Sequence, residues 1–224
     1  MKATTLLAGL FLLTSTAAAP GQPMKIVCLG DSVTRGVRPG VKAEETFCAY
    51  LEKGLNGAGV KAEVLNAGIG GHTAADGLGR LERDVLAHRP DFVVIMFGLN
   101  DSWIDTGKTV SRATVADYAA DLQRMVAALR GHKIAPILMT ANPVTGPLYP
   151  PERNARLKHY VLAMREVARR EKVSLVDVYA RFAEMALEGV DLNSLFTDSM
   201  HPNPKGHAVI AAMLLNEFKA LAKQ

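Results

Sequence analysis

Three polar side chains in this sequence have the types needed for nucleophilic chemistry at neutral pH. Ser32 follows a short apolar run in Gly30-Asp31-Ser32. Asp198 and His201 stand three positions apart in Asp198-Ser199-Met200-His201-Pro202. A serine hydroxyl is a poor nucleophile until a base accepts its proton. Neutral imidazole is the side chain best poised for that near pH 7. A carboxylate on the same short loop can hold the ring in one orientation and tautomer. Such a carboxylate is also expected to raise the histidine pKa above its free value of about 6.5. Acyl transfer further requires donors for a developing oxyanion. Candidates are the backbone N–H of Ser32, the backbone N–H of Gly71 and the side-chain amide of Asn100, with Gly70 as the alternative glycine. Glycine at 71 lets the backbone approach a substrate with no Cβ in the way.

These residues need a scaffold that gathers them. Five apolar runs have the length and composition of buried parallel strands: Lys25–Leu29, Ala62–Leu65, Phe92–Phe97, Ile134–Met139 and Ser174–Val178. Helical patterns alternate with them over Glu44–Leu55, Leu78–Ala87, Thr114–Leu129, Glu152–Arg170 and Ala208–Ala222. That alternation predicts an α/β domain, a parallel sheet with helices on both faces, occupying residues 24–224. In open parallel sheets ligands bind beyond the carboxyl ends of the strands. The small and polar residues cluster there: Gly30-Asp31-Ser32 after the first run, Asn66 to Thr73 after the second, Gly98-Leu99-Asn100-Asp101 after the third, and a Pro-rich loop from Asn142 to Pro151 after the fourth.

Gly30-Asp31-Ser32, Gly71 within Asn-Ala-Gly-Ile-Gly-Gly-His-Thr, Gly98-x-Asn100-Asp101 and Asp198-x-x-His201-Pro202 resemble, in order, the four blocks of the SGNH or GDSL-like hydrolase family. Valine takes the fourth place of the first block, where the family's alternative name has leucine. The resemblance covers nearly the whole chain after residue 24. It implies a three-layer α/β/α, flavodoxin-like, five-stranded parallel sheet of order 2-1-3-4-5. It also implies Ser32, Gly71, Asn100 and His201 as the four name-giving positions, with Asp198 completing the triad. The expected activity is hydrolysis of carboxylic esters through an acyl-serine intermediate. Short acyl or acetyl esters, on carbohydrate among other alcohols, are favoured by a polar, glycine-rich site mouth. A lysophospholipase or thioesterase is the alternative, and a non-catalytic binding module on the same fold comes after it. The first block is neither a P-loop nor a dinucleotide fingerprint and puts Asp31 where a phosphate would sit.

Other residues carry weaker signals. Asp31 and Asp101 read as structural residues that bond backbone N–H groups. Trp103 and His72 adjoin the proposed oxyanion residues and are candidates for substrate contact, with a core position and a structural hydrogen bond as the respective alternatives. His207 is expected to pack at the start of the last helix, while His88, His132 and His159 read as solvated. Cys28 and Cys48 read as two buried, unpaired thiols rather than a disulfide. No histidine, cysteine or carboxylate cluster has metal-ligand spacing, so no metal or cofactor is expected.

The remaining expectations concern location and partners. The 224 residues carry 26 basic and 22 acidic side chains, a net charge of +4. These charges are interspersed and form no concentrated patch, which excludes a nucleic-acid partner from the expectation. Lys2, the apolar run Leu6–Leu13 and the small residues up to Ala19 have the layout of a secretory signal peptide, cut near residues 17–19. The apolar run is well short of the roughly 20 residues of a spanning helix, so export rather than membrane insertion is expected.

Overall fold

A computed structural model describes residues 22–146 and 151–223; the expected signal peptide at residues 1–19 lies outside them. Strands β1 (Met24–Gly30), β2 (Ala62–Gly68), β3 (Phe92–Met96), β4 (Ala135–Met139) and β5 (Ser174–Val176) form one sheet. Its order is β2-β1-β3-β4-β5 and each neighbouring pair is parallel. The expected fold class and strand order are therefore observed. The helices are α1 (Ser32–Arg35), α2 (Phe47–Gly57), α3 (Ala74–Gly79), α4 (Leu81–Asp84), α5 (Val115–Gly131), α6 (Pro151–Glu171), α7 (Val178–Leu187) and α8 (Pro204–Leu221). None among the described residues is long and apolar enough to cross a membrane.

The strand period of two sorts β1 and β3 onto two cores. Ile26, Cys28, Val94 and Met96 face Phe47 and Leu51 of α2, Phe182 of α7, and Ile210, Leu214 and Phe218 of α8. Val27, Leu29, Val93 and Ile95 face Leu122, Met125, Val126 and Leu129 of α5. Helix α6 serves both, with Leu157 and Val161 on the first side and Tyr160 and Met164 on the second. Truncating a fully buried leucine, isoleucine or methionine of these cores to alanine should cost about 2–5 kcal/mol. Cys28 and Cys48 are buried and unlinked. Burial, together with the adjoining Cys28 thiol, pushes the Cys48 thiol well above its ordinary value, which disfavours a reactive thiolate.

Two helical expectations and the end of one expected strand change in the structure, and α7 is a helix that the sequence pattern did not predict. The segment expected as one helix over Glu44–Leu55 breaks at Thr46, whose hydroxyl accepts the Ala49 N–H and caps α2. The segment expected over Leu78–Ala87 is replaced by α3, α4 and a 3-10 turn at Leu86–His88. The cause is Arg80, between α3 and α4. Its buried guanidinium donates to the carbonyls of Ala67 at 2.7 Å and Gly30 at 2.9 Å, and to Asp84 at 2.9 Å. It thus satisfies the carbonyls at the ends of β1 and β2. Helix α7 begins at Val178, where a strand was expected to continue, because Asp177 accepts the Ala180 N–H as its N-cap.

Glycines set how closely the site elements approach. A Cβ on Gly30 would run into Thr34 and the Met96 carbonyl, and one on Gly68 into the backbone of Arg35. Their absence lets α1 sit directly against the ends of β1 and β2, which places Ser32 at the sheet's carboxyl edge.

Candidate active site

Ser32 is the first residue of α1. Asp31, its N-cap, accepts the Val33 N–H at 2.8 Å. The Ser32 hydroxyl lies 2.8 Å from Nε2 of His201, 169 positions away in sequence. Nδ1 of the same ring lies 2.9 and 2.8 Å from the two oxygens of Asp198. With Nδ1 protonated and donating to Asp198, Nε2 is free to accept the serine proton.

The His201 loop is built to hold this geometry. Asp198 Oδ1 also accepts the N–H of His201 at 2.9 Å and of Met200 at 3.3 Å, so one carboxylate fixes both the ring and its backbone. The loop closes on itself through Thr197 N–H to His201 O at 2.9 Å. The segment after β4 braces it from outside: Asn142 donates to Met200 O at 2.9 Å and Thr145 N–H to Ser199 O at 2.6 Å. Ser199 takes a φ of +65°, the left-handed turn conformation that lets Asp198 and His201 face each other.

Asn100 links the oxyanion candidates. Its amide donates to the carbonyl of His72, next to Gly71, at 3.0 Å. It also makes a long contact of 3.4 Å to Asp31, next to Ser32. One N–H thus orients the amide and the other is weakly held. Among the described residues the backbone N–H groups of Ser32 and Gly71 have no hydrogen-bond acceptor. Gly71 has a φ of +81°, and nothing lies within 4 Å of where its Cβ would stand, so the backbone is open to an incoming group.

Asp31 and Asp101 are the structural residues expected. Asp101 accepts the N–H of Ala74 at 2.8 Å and of Gly98 at 2.9 Å, tying the Asn100 turn to the start of α3. Burial pushes Asp31 up to about 7 and Asp101 up to about 6, against the pull of their backbone donors; each also senses another carboxylate nearby. His72 enters through its backbone, and its buried Nδ1 has no hydrogen-bond partner among the described residues. Trp103 is half-buried and stacks on the Arg153 guanidinium, 4.9 Å from its ring centre.

Histidine electrostatics depart from the expectation. The His201 pKa is lowered, not raised. Burial is the larger cause and the charge of Arg38 the next; together they outweigh the pull of Asp198. For Asp198, burial pushes upward, but the hydrogen bonds from His201 and the charges of His201 and Arg38 leave the carboxyl below the ordinary range. His207, buried at the start of α8 as expected, accepts the Phe47 N–H at 3.3 Å; burial and Arg38 push it down to about 4.

Two arginines escaped the sequence reading. Arg38 donates to Asp198 at 2.7 Å. Arg153, only 2% exposed, donates to Leu99 O at 2.6 Å and to the Ser102 hydroxyl at 2.8 Å, bracing the Asn100 turn. Arg38 stands in no motif, and although Arg153 lies within the expected helix Glu152–Arg170, no local signal marks either as part of the site. Among the described residues no group of three or more His, Cys, Asp or Glu side chains is placed to hold a metal ion.

A three-layer α/β/α domain with serine, histidine and aspartate bonded in series at the carboxyl edge of its sheet has the layout of a hydrolase. The chain belongs to the GDSL-like lipase/acylhydrolase family, whose model matches residues 28–209. An acetylxylan esterase of Geobacillus stearothermophilus is 29% identical over 217 residues, 88% of this chain and 95% of that protein. A lipoprotein of Bacillus subtilis, YqeF, is 32% identical over 228 residues, 89% of this chain and 91% of that one. A solved structure of Axe2, an acetyl-xylooligosaccharide esterase of Geobacillus, superimposes with a TM-score of 0.73 at 28% identity, covering 87% of this chain and 93% of that one. The protein is an esterase of this family, a carboxylic ester hydrolase.

Proposed function

We propose that the enzyme removes short acyl groups, acetyl foremost, from carbohydrate esters through an acyl-serine intermediate. The observation that carries this reading is the series Ser32 Oγ, His201 Nε2, His201 Nδ1 and Asp198, with 2.8 Å at both junctions. Ser32 attacks the ester carbonyl carbon as His201 takes the hydroxyl proton. The tetrahedral oxyanion receives hydrogen bonds from the N–H groups of Ser32 and Gly71 and from the Asn100 amide. On collapse, His201 returns the proton to the departing alcohol and the acyl group stays on Ser32. Water, deprotonated by the same imidazole, then frees the acid. Asp198 stays ionised throughout and stabilises the imidazolium.

Support for the substrate comes from the likeness to acetylxylan esterases. In the Geobacillus stearothermophilus enzyme, variants that replace a serine and a histidine are described as catalytic mutants. The exposed, glycine-lined position of Gly71 suits an acyl donor carried on a bulky alcohol. The signal-like first 19 residues support an exported enzyme, located where polymeric esters are met. Trp103 and His72 remain candidates for the walls of the substrate site.

Two measurements test this. A series of nitrophenyl esters of rising chain length, run beside acetylated xylo-oligosaccharides, should show kcat/KM falling at least about tenfold beyond butyrate, with acetate released from the oligosaccharides. A preference for octanoyl or longer chains would establish a long-chain acylhydrolase instead. For the oxyanion site, Asn100→Ala should lower kcat by on the order of 10²-fold with little change in KM, because the amide strengthens its bond only as charge develops. A change confined to KM would make Asn100 a substrate-positioning residue.

A further inference from the structure

The outer side of Asp198 is occupied by a side chain that the acyl-transfer steps do not use. Arg38 lies in a tight turn whose backbone is pinned by Arg38 N–H to Val41 O at 3.2 Å and Val41 N–H to Arg38 O at 2.9 Å. Gly40 supplies the left-handed residue of that turn, at a φ of +86°. The Arg38 side chain is 13% exposed, and its Nη1 donates to Asp198 Oδ2 at 2.7 Å. That oxygen is also 2.8 Å from His201 Nδ1. Asp198 itself is 46% exposed and sits on a loop.

We propose that Arg38 is a positioning residue of the triad: its guanidinium, fixed by a tight turn, holds the Asp198 carboxylate against His201. The inference rests on the reading of Ser32, His201 and Asp198 as nucleophile, base and orienting acid. An exposed ion pair would contribute little. This one differs because the cation is mostly buried, its backbone is fixed, and it shares an oxygen with the base. Oδ1 is held by the N–H groups of His201 and Met200. Among the described residues Oδ2 is bonded by the ring and Arg38, so Arg38 supplies the lateral restraint that stops the carboxylate rotating toward water.

The charge acts in the opposite sense to the carboxylate. Asp198 favours imidazolium, whereas Arg38 disfavours it, as, to a smaller degree, does Arg35 of α1. His207 of α8 faces the same region, buried beside Arg38 and held neutral. Asp31 senses Arg38 as well. The pair therefore gives a fixed carboxylate without a strongly basic histidine. Such a base stays neutral, and so competent, into mildly acidic solution.

The experiment follows the His201 ring by NMR across pH in the parent protein, Arg38→Met and Arg38→Lys. The His201→Ala spectrum assigns its resonance among the six histidines. Arg38→Met should raise the His201 midpoint by about half to one pH unit, the scale of one partly screened charge a few ångströms away. Arg38→Lys keeps the charge and should stay within about 0.2 unit of the parent. In kinetics, Arg38→Met should lower the plateau kcat about tenfold with KM nearly unchanged, as loss of orientation does. Should Arg38→Met fold poorly, Arg38→Gln gives the same test without the charge. An unmoved midpoint in the charge-removing variants, or equal shifts in Met and Lys, would overturn the proposal. Because the ring titration needs no turnover, it separates this inference from the esterase mechanism: a normal Arg38 effect in a protein that keeps its activity after Ser32→Ala would sink only the latter.

Discussion

Ser32→Ala should lower kcat by about 10⁶-fold, the scale of a lost nucleophile in a triad enzyme, and leave the fold intact. The Ser32 hydroxyl bonds only to His201 among the described residues, and alanine is a good helix former at the start of α1. Asp31 still caps Val33, and the glycines that seat α1 are untouched. The measurements are steady-state hydrolysis of a short nitrophenyl ester, labelling by a fluorophosphonate, and thermal unfolding. Loss of labelling with an unchanged Tm is the expected pair. Residual activity above about a hundredth of the parent's would be far too much for a missing nucleophile, and the serine would have to be reassigned.

The second large effect belongs to the base and its partner. His201→Ala removes the proton acceptor and should approach the Ser32→Ala rate. Asp198→Asn should cost about 10⁴-fold, because the amide can support the wrong imidazole tautomer and carries no charge to stabilise imidazolium. It would also leave the Arg38 guanidinium facing an uncharged group. The double variant should be little worse than His201→Ala alone, since groups acting as one unit are strongly non-additive. Additive losses would mean that the two residues act separately.

The pH dependence has a definite sign. As the proposed base, His201 has to be neutral, and burial with Arg38 lowers its pKa below the ordinary 6.5. The acid limb of kcat/KM on a non-ionising ester should therefore lie below about 6.5, with activity retained through pH 6.5 and lost on further acidification. A limb above that value would contradict the lowered base. Asp31, pushed up to about 7 by burial, is a second group of the site with a route to the chemistry, through Asn100. A feature near 7 that vanishes in Asp31→Asn belongs to that carboxyl.

How far each feature could be read ahead depended on how local its cause is. The β1 and β3 runs are short, apolar on both faces and bounded by glycine or proline, the pattern of a strand covered on both sides, so they were legible. Asp198 and His201 were legible as a pair because three residues of one loop suffice to bring them together. The break at Thr46 and the start of α7 at Asp177 were written in capping residues that a periodicity reading passes over. The division around Arg80 was not legible, since its buried guanidinium answers carbonyls at positions 30 and 67 on other elements.

The sequence by itself determined the alternating architecture, the identity of the polar residues at the strand ends, and hence the class of chemistry. Those follow from hydrophobic period and side-chain type, which are properties of neighbouring residues. Tertiary structure alone decided that Ser32 meets His201 at 2.8 Å and that Asn100 ties the Ser32 and Gly71 segments together. It also decided the direction in which the base titrates. A carboxylate three residues away predicted a raised pKa. Burial and an arginine 160 positions from Asp198 reversed it, because desolvation and Coulomb interaction depend on distance in space and not along the chain.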